Sequence, residues 1–307
     1  MEMELQKEQF KVVGKDLSVA QAIVRPSLTY WQDAWRRLKK NPAAITALII
    51  LIILSLMAIF VPIFSKYSFS EQNLMLTNAK PMVQGHWFGT DELGRDLFVR
   101  VWVGARISLL IGLTGAFIEL VIGVIYGGIS GFKGGMVDNI MMRIVDVLYV
   151  IPEVVMMILL IMVMGPGLLT VIIAISSIHW LPMARIVRGQ ILQVKEQEFV
   201  LAAKTLGASP SRLIGKHLVP NVIGQIIVRL TFSIPGAIFF EAFLSFIGMG
   251  VPQPLASWGT LAATGQTRIT AYPHLLLFPA AAISIAMLSF NMLGDGLRDA
   301  LDPRLRK

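Results

Sequence analysis

Few residues in this chain are equipped to make or break bonds. It contains no cysteine, which removes a disulfide framework, a thiolate zinc site and a cysteine nucleophile together. The four histidines, His86, His179, His217 and His274, are too scattered to form a local metal motif such as His-Glu-x-x-His. The nearest approach to a phosphate-binding loop is Gly215-Lys216, where Pro210 takes the place of the first glycine and His217 that of the magnesium-binding hydroxyl. The sequence therefore predicts no catalytic residue, no metal site and no cofactor bound by this chain.

The chemistry that remains is electrostatic. Glu119, Asp146, Glu153, Arg229 and Glu241 stand in stretches that are otherwise apolar. Ionisable groups are expensive in hydrocarbon unless they face a pathway, a partner or a neighbour that satisfies them. Asp146 follows Arg143 by one helical turn, which predicts a local pair. Arg229, two turns into its stretch, is expected to snorkel back to the interface. Glu119 has neither escape, and it either lines a pathway or accepts a hydrogen bond inside a bundle. Glu153 follows Pro152, whose missing amide permits a kink. Glu119, Glu153 and Glu241 are the candidate pathway or gate groups.

The elements that carry these groups must be membrane spans. Hydrophobic residues make up 55% of the chain and charged residues 15%, with a mean hydropathy of +0.69. Soluble domains run near roughly 45–50% and 25%. A net charge of +8 does not point to nucleic acid, because so apolar a chain lacks the surface on which a groove binder keeps its charge. Crossing hydrocarbon takes about 20 apolar residues. Runs of that kind extend from Ala43 to Phe64, Ile107 to Ser130, Ile144 to Met164, Leu168 to about Met183, about Val222 to Ile247, and Leu275 to Leu293. An all-α protein with six transmembrane helices follows, with both termini on one side.

Lys and Arg distribute as 20 on the side of the termini and 6 on the other, with Arg229 inside a span. Cytoplasmic flanks are enriched in these residues, so both termini are expected in the cytoplasm. The first apolar run starts some 40 residues in and continues for a membrane thickness, unlike a cleavable signal. Residues 1–41 read as a cytoplasmic segment, in which Leu28, Trp31, Trp35 and Leu38 recur on one face of an amphipathic helix suited to the headgroup layer. Residues 42–307 read as the membrane domain. Within it Gly123, Gly127 and Gly131 recur every four residues, a stripe that lets another helix approach closely. Met156, Met157, Met162 and Met164 read as packing or lipid-facing residues.

The stretch from Leu181 to Asn221 is too polar to span and too apolar to be disordered, and it reads as a cytoplasmic helix-turn-helix. A helix from Glu198 to Leu206 is closed by Gly207, and Ser209-Pro210 supplies a cap and a first-turn proline for the next. That second helix carries Leu213, Ile214 and His217 on one side with Arg212 and Lys216 beside them, and Pro220 should end it.

Leu201-Ala202-Ala203-Lys204-Thr205-Leu206-Gly207, then nine residues, then His217-Leu218-Val219-Pro220, resembles the E-A-A-x3-G-x9-I-x-L-P loop of ABC-importer permeases. Leu201 stands where the pattern has its acid, His217 where it has Ile and Val219 where it has Leu. Glu198 lies one turn upstream of Leu201. Trp87 to Asp96, Gly104 to Leu109, Glu241 to Pro252 and Gly294 to Pro303 narrow the resemblance to the second permease type of oligopeptide and dipeptide importers. The resemblance implies a type I ABC importer fold in the cytoplasmic membrane of a bacterium or archaeon. It also implies a sister permease, two cytoplasmic ATPase subunits that use ATP and Mg²⁺, an extracytoplasmic peptide-binding protein and surrounding lipid, with no nucleic acid. In that family the loop corresponding to 198–221 seats in an ATPase. This places Leu201, Ala202, Ala203, Gly207, Ser209, Pro210, Arg212, Lys216, His217 and Pro220 at the coupling contact. Nickel or other small-solute importer permeases stay open as an alternative. A secondary transporter is disfavoured, because it would carry more spans and a duplicated motif.

Overall fold

The computed structural model describes residues 29–302. Leu28 with the basic residues before it, and Arg304, Arg306 and Lys307, lie outside the described residues. The helices, in chain order, are α1 (Tyr30–Lys40), α2 (Pro42–Phe64), α3 (Leu97–Lys133), α4 (Gly135–Val150), α5 (Glu153–Met164), α6 (Leu168–Val194), α7 (Glu198–Thr205), α8 (Pro210–Phe246), α9 (Trp258–Gln266) and α10 (His274–Leu301). Five of them, α2, α3, α6, α8 and α10, are long and apolar enough to cross a membrane, and a sixth crossing exists if the bent pair α4 and α5 is counted as one.

Several boundaries differ from expectation, each for a local reason. Between α4 and α5 the chain turns by 85° at Ile151-Pro152, so the run from Ile144 to Met164 is broken where a single span was expected. Proline at the break has no amide to continue the ladder, and it disfavours helical geometry in the residue before it. Helix α3 begins ten residues earlier than the hydropathy suggests, because the Asp96 side chain accepts the Val99 N–H and caps it at Leu97. Helix α6 does not stop near Met183 but continues to Val194, so the first part of the stretch from Leu181 to Asn221 is a continuation of the same helix. Pro220 does not end its helix either. A wide π-turn over Leu213–Leu218 opens the ladder just ahead of it, and the chain stays helical from Pro210 to Phe246.

Helix α3 lies along α6, and α8 packs against both, so these three form the centre of the bundle; α2 and α10 pack together on one flank. The stripe of Gly123, Gly127 and Gly131 is what permits the α3–α6 contact. A Cβ on Gly127 would sit 2.3 Å from the Ala184 carbonyl oxygen, and one on Gly131 would sit 2.9 Å from that of Arg188. Apolar clusters then fill the seams. One joins Leu51, Leu97, Trp258 and Phe290; a second joins Ile111, Met157, Ile175 and Leu244; a third joins Val187, Ile191, Leu213 and Leu218 at the loop end. Of the methionines singled out above, Met157 is buried and Met162 and Met164 are exposed. Ile49, Ile52, Leu56, Ile59 and Phe60 form an exposed face on α2, a surface that hydrocarbon rather than water can solvate.

The amphipathic α1 begins with a reciprocal cap between Thr29 and Gln32 and folds back on the end of α10. Its face divides. Leu38 is buried beside Ala44 and Ala300, whereas Trp31 and Trp35 remain exposed, with Lys39 over the Trp35 ring. The Tyr30 hydroxyl donates to the Leu301 carbonyl at 3.1 Å, so α1 is tied to protein as well as presenting an interfacial edge.

If the glycine stripe sets the α3–α6 distance, Gly127→Leu forces the two backbones apart. It should lower the thermal stability of the detergent-purified protein by at least about 1–3 kcal/mol. Gly189→Ala on α6, where an added Cβ meets nothing within 4 Å, should shift it little. Equal melting temperatures for both variants would show that the stripe is not a contact.

Candidate functional site

Two regions collect most of the residues singled out by sequence: a loop at one end of the bundle and a cavity in its flank. The loop is built by local capping. Gly207 adopts φ +82°, its N–H donates to Lys204 O and the Ala208 N–H to Ala203 O, closing α7 in the left-handed region that glycine enters without steric cost. Nothing lies within 4 Å of where its Cβ would be, so the constraint there is conformational alone. The Ser209 side chain accepts the Arg212 N–H and Pro210 occupies the first helical position of α8.

Apolar anchors hold the loop against the bundle. Val200, Leu213 and Leu218 are buried with Met183, Val187 and Ile191 of α6. The remaining side chains point away: Leu201, Ala202, Gly207, Ser209, Pro210, Arg212, Lys216 and Pro220 are exposed, and Ala203 and His217 are half-buried. Glu198 is exposed near Leu201. Two residues not singled out by sequence belong to the same surface, Phe199 and Leu206, the latter 87% exposed. Their signal was present in the text of the loop, as apolar residues off the buried face of a short helix. Ion pairs brace the neighbouring end of the bundle. The Arg188 guanidinium donates through Nε and Nη2 to both oxygens of Asp138, each at 2.5 Å, and the Lys195 ammonium donates to Gly131 O at 3.1 Å.

The cavity lies where α4 breaks into α5, against α6 and α8. It has a volume of about 340 Å³, and its lining includes Tyr149, Pro152, Glu153, His179, Arg229, Ser233 and Phe240. One oxygen of Glu153 lies 2.7 Å from His179 Nε2, yet the carboxylate side chain keeps 35% of its exposure. Spacing along the chain does not relate His179 to Glu153; only the fold brings the two together. A second cavity, of about 450 Å³, continues toward the loop end and includes Arg185, Gln190, Gln193, Gln225 and Arg298. Arg229 and Phe232 border both.

The intramembrane charges are paired differently from expectation. Asp146 does not pair with Arg143 on its own helix; it accepts from Arg185 of α6 at 2.7 Å. Arg229 does not snorkel outward. Its Nε donates to Glu119 at 2.9 Å, joining α8 to α3, and Glu119 is fully buried. Glu241 is also fully buried and faces neither cavity. It accepts from Ser108 of α3 at 3.1 Å, from Ser245 one turn along α8 at 2.8 Å, and from Ser257, the cap of α9, at 2.5 Å. The Ser108 hydroxyl in turn accepts the Trp258 N–H at 3.1 Å. Glu241 is thus a clasp among three helices, while Glu153 alone of the three candidate acids opens into a cavity.

Comparison with known proteins shows the family of this chain. Residues 120–307 match the family described as binding-protein-dependent transport system inner membrane component. Residues 29–81 match the N-terminal TM domain of oligopeptide transport permease C. The chain is 54% identical to the oligopeptide transport system permease protein OppC of Bacillus subtilis (strain 168), over 98% of each. It is also 54% identical to the dipeptide transport system permease protein DppC of the same organism, over 94% of this chain and 90% of that one. With the OppC protein of Escherichia coli (strain K12) the identity is 45%, over 90% and 92%. Among solved structures, a chain of the MetNI methionine ABC transporter in an inward-facing conformation shares the fold, with a TM-score of 0.54 at 19% identity over 67% of this chain and 96% of that one.

The Glu119–Arg229 pair makes a sharp prediction. Arg229→Met strands a carboxylate in the bundle and should cost about 3 kcal/mol in thermal or denaturant stability, whereas Glu119→Leu combined with Arg229→Met should recover most of it. A double variant as unstable as the single would mean that the two groups do not depend on each other.

Proposed function

The chain belongs to the family of binding-protein-dependent transport system inner membrane components, in its oligopeptide and dipeptide permease branch, and from that premise we propose that it forms one half of a peptide pathway driven by partner ATPases. It is a multi-pass membrane protein whose role is transport. The observation that carries the reading is the open cavity beside the α4–α5 break. Glu153 and Arg229 stand well inside the spans, yet keep 35% and 30% of their side-chain exposure. Hydrocarbon does not tolerate such groups, so this flank is turned toward water and a second subunit rather than toward lipid. A sister permease would close the other side.

Drive would reach the cavity through α8. That helix starts at Pro210 in the exposed loop and, about 28 Å further along its axis, supplies Arg229 to the cavity wall. In this proposal the loop of residues 198–221 seats in a cleft of a cytoplasmic ATPase. Leu201, Ala202 and Leu206 offer apolar contact, and Arg212 and Lys216 offer charge at the rim. Closure of two ATPases on ATP and Mg²⁺ then moves the helix end, and the rigid α8 carries the displacement to Arg229, Phe232 and Phe240. Gly207 sets the angle between α7 and α8, and His217 and Pro220 shape the turn at the base of α8. An extracytoplasmic binding protein would deliver peptide to the opposite end. The curated relatives named above are peptide permeases, so peptide is preferred to nickel as the cargo.

The same proposal puts both termini in the cytoplasm of a bacterial or archaeal cell, with six crossings, residues 1–41 as the cytoplasmic segment and residues 42–307 as the permease domain. Because there is no cysteine background, single cysteines can test this. Ser209→Cys should react with a membrane-impermeant thiol reagent only after the inner face is opened, and Met75→Cys, between α2 and α3, should react in intact cells. Reaction at Ser209 in sealed cells would overturn the orientation.

Coupling is tested in the assembled importer. Gly207→Val must hold a β-branched residue at φ +82°, at a cost of about 1–2 kcal/mol or more. It should lower peptide uptake and peptide-stimulated ATP hydrolysis together at unchanged membrane level. Leu201→Glu, on an exposed helix start, should be tolerated. Normal coupled activity in Gly207→Val would mean that the loop is a passive connector.

A further inference from the structure

The two cavities form a groove with an acid at one end and arginines at the other. At the α4–α5 break the acid is Glu153, held by His179 at 2.7 Å and open on its remaining side. Toward the loop end the lining carries Arg185 and Arg298, with Arg229 at the junction. Arg185 and Arg229 are neutralised by Asp146 and Glu119, each through one guanidinium nitrogen. Among the described residues Arg298 forms no ion pair, although Asp295 and Asp302 stand one helical turn to either side of it. Along α6 the lining runs from Ile178 to Gln193, and along α8 from Phe240 to Gln225. Either run is about 22 Å of helix, the length of an extended chain of about six or seven residues.

We infer that this groove recognises the two charged ends of a peptide, the α-ammonium at Glu153 and the α-carboxylate at Arg298 and the outer face of Arg229. The inference rests on the peptide-pathway reading above and adds to it a polarity. Backbone termini are what all peptides share whatever their side chains, so a pathway that grips them needs no side-chain pockets. Charge-assisted hydrogen bonds to an ammonium and a carboxylate are the strong interactions available in a partly desolvated groove. Glutamines 190, 193 and 225 between the arginines can both donate to and accept from peptide amides without adding charge. The orientation that results sends the carboxylate end toward the coupling loop, so the peptide leaves carboxylate first.

Photo-crosslinking in the assembled importer tests this during ATP-driven uptake. p-Benzoylphenylalanine replaces Phe240 at the acidic end in one variant and Ile186 at the basic end in another. The substrate is a hexa-alanine peptide isotopically labelled at its first or last residue, and mass spectrometry reads which end is attached. Phe240 should capture the first residue, and Ile186 the last, with about tenfold preference or more. Adding Glu153→Gln should erase the preference at Phe240 and leave the one at Ile186. If the Phe240 replacement does not assemble, Val150, 82% exposed on the rim of the same cavity, takes the probe. Capture at both sites with no end preference, or with the reverse one, overturns terminal recognition while the pathway reading stands. Uptake without capture at either site overturns the pathway reading itself.

Discussion

A carboxylate cannot be left alone in hydrocarbon, and this bundle is arranged around the places where that rule is met. At Glu241 three serine hydroxyls converge on one buried side chain, and they come from α3, α8 and the cap of α9. Removing any one helix from that point would leave an acid with fewer donors and hydroxyls with no acceptor, a penalty several times larger than the worth of a single hydrogen bond in water. Glu119 extends the same logic toward the other end of the bundle, where Arg229 of α8 reaches across to α3. Helix α8 is therefore fastened to α3 twice by polar partners, and Ile226, Ala237, Ile238 and Leu244 on the same helix are buried in the apolar seams.

That double attachment lies beyond the loop, beside the cavity. In the proposed coupling, a helix of 37 residues, with the exposed loop at its start and cavity residues beyond its middle, would transmit displacement only if it is stiff and if its attachment points act as pivots. The π-turn at Leu213–Leu218 lies between the loop and the first pivot, where a locally widened ladder allows the exposed start of the helix to follow a partner while Leu213 and Leu218 remain seated against α6. The close α3–α6 contact gives α8 a firm surface to move against, since glycine-mediated backbone contact leaves little side-chain freedom to absorb motion.

The break at Ile151-Pro152 has the complementary role. Ending α4 at the exposed flank of the bundle leaves a corner of volume that a continuous helix would fill, and the first residue of α5 after the break is Glu153. A kink alone would have left the carboxylate against neighbouring side chains; a turn of 85° opens the cavity and places the acid on its wall.

Hydropathy, glycine spacing and capping chemistry are properties of residues close together in the chain, and these could be read without the fold. The apolar runs, the Gly123–Gly131 stripe, the left-handed Gly207 and the Ser209-Pro210 helix start all follow from interactions within a turn or two. Span ends were less legible, because α3 and α6 continue past their most apolar stretches and are held there by caps and packing that hydropathy does not register. Pairing across helices was decided by tertiary structure alone. Arg229 and Glu119 are 110 residues apart, and Glu241 and Ser108 are 133 apart. Spans that are apolar on every side carry no periodic signal to say which way they face. Whether an acid inside such a span lines a pathway or closes a clasp depends on helix rotation and register, and those are set only when all the helices are packed together.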